Sequence, residues 1–365
     1  MPNKKTILVT GVASFWGAQA AERLIEWSVV RRDAGVHIMG VDAQAPAREI
    51  EGLDFIQADV RNPLMVELLK SEAVDSVCHL TFVESQRLTE TIFDLNVMGT
   101  MKLLGACAEA GVHKVVLRSS TAVYGASSNN PMFITEDQPV QGSRAYGYTR
   151  DLVEIEAFCN GFRHQAPEMI LTILRFANVI GPRVNSPMTR FLKQPLAPTL
   201  LGFDPLMQVI HERDAIEALA HVTWNDVPGV FNVAAEEALP LNRVMGLAAK
   251  VPLPVFHLFT YWGIGLASSA GIKVGDYFPI EPDYLRYGWV GDLAKMRQEM
   301  AFVPRYTAEE TLREFAGEQR RRRYMPEAAA LAYDEDRLRD TLERRRRARN
   351  LEASEAEKNS TGMEA

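Results

Sequence analysis

The chain has 365 residues, 47% of them hydrophobic and 24% charged, enough for a large core and too apolar for global disorder. It carries 40 Lys and Arg against 47 Asp and Glu, a net charge of −7, which argues against general nucleic-acid binding. Cys78, Cys107 and Cys159 sit in apolar runs without metal-ligand spacing; this excludes a disulfide framework and fits buried thiols in a reducing cytoplasm.

The opening MPNKKTILVTGV reads as a first strand rather than a secretion signal, because its apolar run stops at Thr10-Gly11. Thr6–Thr10 is short, β-rich and apolar, as a buried parallel strand should be. A helical pattern follows through Ala18, Ala21, Leu24 and Ile25. The turn between them is Gly11-x-x-Ser14-Phe15-Trp16-Gly17. Strand, glycine turn and helix N-terminus make a cradle for a pyrophosphate. Ser14 stands where a dinucleotide turn normally has glycine; its hydroxyl can donate to phosphate, while its Cβ takes up space.

The second strand, Val36–Val41, ends in Asp42. A carboxylate there accepts from adenosine ribose hydroxyls and repels a 2′-phosphate, favouring NAD over NADP; the alternative is a plain turn former. Asp42 lies 31 positions after Gly11, beyond the usual spacing of about 20, and the charged segment 28–35 reads as an insertion. Strands at 54–57, 74–79 and 114–119 alternate with helices at 61–70 and 88–110. That is the β-α-β rhythm of a doubly wound, Rossmann-like parallel sheet, in which ligands sit at strand carboxyl ends.

Local runs then accumulate in order: Phe55 to Val60 with Asp59-Val60, Val77 to Thr81 with Leu80-Thr81, Asn96-Val97-Met98-Gly99-Thr100, Ser119-Ser120-Thr121-Ala122-Val123-Tyr124-Gly125, Leu174 to Pro182 with Phe176, Asn178 and Val179, and His211-Glu212-Arg213-Asp214. Over residues 5–317 the chain resembles the extended short-chain dehydrogenase/reductase superfamily, of the NAD-dependent epimerase/dehydratase type. The resemblance implies NAD as cofactor, a small-molecule substrate and a homodimer pairing through two long helices. It implies that Asp59 and Val60 meet adenine, that Leu80, Thr81 and Ser119 flank the cofactor, and that Asn96 stands near the active site. Phe176, Asn178 and Val179 would lie beside the nicotinamide, and Ser120 would orient the reacting oxygen.

The family's chemistry also needs a tyrosine acid/base and a lysine four residues later. A free tyrosine ionises near pH 10, and a nearby cation makes it a usable base. Here two registers compete. Tyr146 puts Arg150 in the lysine position; Tyr148 puts Leu152 there. The second register also aligns both glutamates of the "YTRDLVEIE" run and is preferred. Neither contains lysine, and an arginine is not an equivalent part. The sequence resembles a bacterial branch with similar "SSTxVYG" and "LRFANxxGP" runs and an eroded Tyr/Lys pair. Two functions stay open: an NAD-dependent oxidoreductase acting on a nucleotide-sugar or sterol/lipid alcohol, and a non-catalytic NAD-binding module.

Three regions are expected: an NAD-binding domain over 1–182, a smaller substrate domain over 183–317, part of which returns to the sheet, and a charged helical tail over 318–365. Phe191–Leu201 and Leu206–Ile210 are expected to line the cleft. Thr307 and Glu310 have capping-box spacing. The segment 251–272 contains no Asp, Glu, Lys or Arg; its readings are a core or lid segment, an interfacial contact and a membrane span. Residues 320–349 hold eleven arginines and six acidic residues, so the tail is either a solvated helix or a contact for an anionic membrane or acidic partner. No metal-ligand cluster is evident.

Overall fold

The computed structural model describes residues 5–31, 35–85, 88–194, 196–256, 280–324 and positions 338, 339 and 342. It divides into two units, 1–315 and 316–365. The first contains a seven-stranded sheet in the order β10-β6-β5-β4-β1-β2-β3, every pair parallel. The strands are β1 (Lys5–Thr10), β2 (Val36–Asp42), β3 (Asp54–Gln57), β4 (Val74–His79), β5 (Lys114–Ser120), β6 (Ile170–Phe176) and β10 (Gly229–Val233). The last lies 53 residues after β6 in sequence and pairs beside it at the edge of the sheet.

Buried parallel strands carry apolar side chains on both faces. In β1, Ile7 and Val9 face one layer and Leu8 the other, and all three are fully buried, each worth about 1.5–3 kcal/mol. One layer contains α1 (Phe15–Val30) and α7 (Glu212–Trp224). The opposite layer contains α2 (Met65–Ser71), α4 (Gly99–Ala110) and α5 (Gly147–Gln165). The short helix α3 (Glu90–Phe93) runs into α4 through a π-helical turn, Asp94–Met98, a local widening that recurs at functional sites.

A second cluster packs α6 (Pro187–Lys193), β8 (Leu196–Leu200), β9 (Leu206–His211) and α8 (Leu241–Leu247). Strand β9 joins β7 (Asn178–Ile180) in parallel and β11 (Ala238–Pro240) antiparallel; β12 (Val251–Val255) pairs with β8. This corrects one expectation. Phe191, Leu192, Met207, Val209 and Ile210 are buried in the core; their apolar pattern reflects packing rather than a cleft wall. After α9 (Ala294–Gln298) comes α10 (Ala308–Tyr324). At its start Thr307 N donates to Glu310 Oε2 at 2.9 Å and Glu310 N to Thr307 Oγ1 at 3.1 Å, the reciprocal bonds of a capping box.

The three cysteines are buried and free. Among the described residues no helix is long and apolar enough to cross a membrane, and no metal-binding group occurs. Most of the apolar segment, 257–272, and nearly all of the tail beyond 324 lie outside the described residues.

Candidate active site

Strands β1 and β4 are neighbours whose successors run outward in opposite directions, so the crevice at their carboxyl ends is a topological switch point. Gly11 sits there with φ +77°, and a Cβ on it would lie 2.7 Å from the backbone of Leu80 and Thr81. A Cβ on Gly17 would lie 2.1 Å from Gly11 O. Both glycines are therefore steric requirements of the turn. Ser14 is the N-cap of α1. Its hydroxyl donates to Gly11 O at 2.7 Å and accepts from Gly17 N at 3.3 Å. That hydrogen is thus engaged with the Gly11 carbonyl. The amides of Phe15 and Trp16 begin the helix and have no intrahelical acceptor, as in any first turn.

Asp42 closes the turn from β2: Oδ2 accepts from Ala13 N at 2.9 Å and Oδ1 from Gln44 N at 3.1 Å. Asp59 holds Arg61, Oδ2 to Nη2 at 2.6 Å, and Arg61 also pairs with Asp94. Val60 and Leu80 are buried. Thr81 Oγ1 is buried without a partner, a polar atom facing the switch point that a bound group would satisfy. Asn96 is fully buried; Oδ1 accepts from Val83 N at 2.8 Å and Nδ2 donates to Asp151 Oδ2 at 2.9 Å. It clamps the loop after β4 to α5.

Beyond the turn lies a cleft lined by the ends of β5 and β6, the start of α5 and residues of the 280–289 segment. Of the sequence-derived candidates, Trp16, Ser119, Ser120, Tyr146, Tyr148, Phe176, Asn178 and Val179 line it. Phe15 does not; it faces a separate crevice beside α7 with Arg183 and Glu212. Ser119 spends its hydroxyl on Glu156 Oε1 at 2.5 Å, part of a buried set in which Arg175 also binds Glu156 and Tyr124. Met188, Ile280, Glu281, Tyr284 and Trp289 supply the far wall, from segments just outside those the sequence suggested.

The two tyrosines separate clearly. Tyr148 shares the cleft wall with Ser120, which eases its ionisation, yet burial and the charge of Glu84 push its phenol up to about 12. Tyr146 faces Glu281 and Asp283 instead and is likewise pushed up to about 12, chiefly by burial. Leu152 is 3% exposed and packs with Val123 and Val153 against Phe82 and Tyr148. The lysine position of that register is thus part of the core. Arg150 turns away, Nη2 to Asp151 Oδ1 at 2.6 Å and its guanidinium 4.8 Å from the Phe93 ring.

Among the cleft residues that the sequence reading missed are three charged ones, Glu84, Arg118 and Glu281. Arg118 enters from β5 and pairs with Glu84 at 2.8 Å. The only signal for it was a charge inside an apolar strand. Glu281, in the cleft wall, is pushed up to about 7 by burial, against a hydrogen bond from Ser143.

The family model described as the NAD dependent epimerase/dehydratase family matches residues 7–234. An uncharacterised Mycobacterium tuberculosis protein, Rv0501, is 32% identical over 85% of this chain and 83% of its own length. The UDP-glucose 4-epimerase of Lactobacillus helveticus is 32% identical over 82% of this chain and 92% of its own. In three dimensions the Bordetella bronchiseptica enzyme WbmG, solved with NAD, aligns with a TM-score of 0.64 at 20% identity, over 88% of this chain and 96% of the other. The chain belongs to the NAD-dependent epimerase/dehydratase family.

Proposed function

We propose that this protein binds NAD along the β1–β4 crevice and transfers a hydride to or from a secondary alcohol or ketone held between Ser120, Tyr148 and the far wall of the cleft. The observation that carries the proposal is the convergence of Ser120 and Tyr148 in a cleft that Trp16, from the Gly11–Gly17 turn, also lines. The residues fit the cofactor: the turn is tight, the helix N-terminus offers the Phe15 and Trp16 amides to a diphosphate, Thr81 Oγ1 is unpartnered, and each Asp42 oxygen keeps a lone pair for a ribose hydroxyl.

Bound NAD supplies the hydride acceptor, and its reduced form the donor. Ser120 holds the substrate oxygen. Tyr148 transfers the proton to or from that oxygen through its hydroxyl. With its ionisation displaced to about 12, Tyr148 is a phenol at neutral pH. It is therefore ready to give a proton to a carbonyl oxygen as hydride arrives at carbon. Alcohol oxidation needs the phenolate and is favoured by alkaline conditions.

The wall of Ala122, Ala177, Met188 and Ile280 is apolar, which suits a sterol or lipid alcohol; the relatives named for UDP-glucose make a nucleotide sugar the other class. Absorbance of reduced nicotinamide with a panel of both classes tests the reading. Tyr148→Phe should lower turnover by about 10²-fold or more, and Tyr146→Phe should leave it nearly unchanged. The second reading, a non-catalytic NAD-binding module, is favoured by Leu152 in place of lysine. NAD binding without turnover on any panel member would select it.

A further inference from the structure

Arg118 and Ser120 are two positions apart on β5, so their side chains leave the same face of the strand, and both reach the cleft. The Arg118 guanidinium lies 4.4 Å from the Trp16 ring centroid and 5.7 Å from that of Phe82. Its Nη1 donates to Glu84 Oε1 at 2.8 Å, and the two side chains are only 7% and 12% exposed. Phe82 in turn meets the Tyr148 ring edge to face, with centroids 5.9 Å apart at 83°. Contacts with the Phe82 ring therefore place the guanidinium and the Tyr148 ring on the two sides of one residue.

A charged pair inside a sheet is costly unless its remaining donors and acceptors are satisfied. Arg118 Nε and Glu84 Oε2 are both buried and unpartnered, so this pair is poorly built as a structural brace. It is nevertheless firmly placed. Asn96 fixes the Glu84 loop through Val83, and β5 is flanked by β4 and β6.

We propose that Arg118 is the positioning cation for Tyr148, delivered from a strand in place of the missing lysine, and that Glu84 governs how much of its charge the phenol feels. The inference rests on the reading of Tyr148 as the proton-transferring group. The groups bearing on Tyr148 include Glu84 from the loop after β4, Arg118 and Ser120 from the end of β5, Arg190 from α6 and Tyr284 from the far wall. Glu84 disfavours the phenolate, whereas Arg118 and Arg190 favour it. When the phenol gives up its proton, Arg118 stabilises the negative oxygen left behind, and solvent returns the proton afterwards.

The test places a fluorotyrosine at position 148 of the full chain, an acidified analogue whose ionisation falls within the pH range the fold withstands. Its titration is followed by ultraviolet absorbance and the fluorine resonance, without cofactor. Glu84→Gln should lower the midpoint by about one pH unit or more, and Arg118→Met should raise it by a similar amount. Should Arg118→Met fail to fold, Arg118→Lys is expected to keep the midpoint near that of the parent, and Glu84→Gln still decides. A midpoint unmoved by Glu84→Gln, or moved upward, overturns the proposal. NAD titration of the same proteins separates the two readings. A protein that binds NAD but shows no shift loses only the Arg118 role. A shift in a protein indifferent to NAD loses only the cofactor reading.

Discussion

Ser14 in the turn after β1 and Leu152 in α5 each stand where the family resemblance leads one to expect another residue, and the fold holds the two differently. At the turn, the Ser14 hydroxyl caps the helix and ties back to Gly11 O. The cradle keeps its shape because the glycines that cannot carry a Cβ, Gly11 and Gly17, are retained. At α5, Leu152, which the preferred register sets at the lysine position, is packed into the core with Val123 and Val153 around it. A backbone site survives substitution if the backbone path survives. A charge does not survive by packing; another element has to supply it, and here the nearby cation is on β5.

Restoring the lysine should therefore damage this protein. Leu152→Lys places an ammonium in a buried apolar cluster and should cost about 3 kcal/mol or more, read as a lower denaturant midpoint. A stable Leu152→Lys variant would mean that the position retains the polar surroundings of a lysine site, and the contrast between the two regions would fail.

The contrast also rests on what was legible in the sequence. Five of the seven strands of the main sheet, β1 to β5, could be read to within a residue or two, since buried parallel strands are apolar β-rich runs bounded by turns. The Gly11–Gly17 turn, Asp42 and Ser120 could be singled out because each sits at the carboxyl end of a strand. Glu84 and Arg118 were not, because their pairing spans 34 positions and no periodicity announces it. The far wall was misplaced for a related reason: Phe191, Leu192, Ala197 and Leu200 are apolar because they fill a core, while the cleft takes Pro187 and Met188 just before them.

Smaller effects sharpen the comparison. Ser14→Ala removes the cap and should cost about 1 kcal/mol while leaving NAD affinity nearly intact; calorimetry and denaturant unfolding read the two separately. A large loss of affinity would mean that the serine does hold the diphosphate. On the opposite wall, Glu281 is pushed from an ordinary 4.5 up to about 7 by burial. A carboxyl with a raised ionisation point favours the folded state while protonated, so this contribution is present below about pH 4.5 and fades as pH rises through about 7. Glu281→Gln should flatten that part of the Tm-against-pH curve relative to the parent. Parallel curves would show that Glu281 is ordinarily solvated.

The most direct test of the central claim is a calorimetric titration of the folded, full-length protein with NAD. The account predicts saturable binding at one site per chain, and weaker binding of NADP because the Asp42 carboxylate opposes a 2′-phosphate. No heat from NAD, NADH or NADP would contradict it.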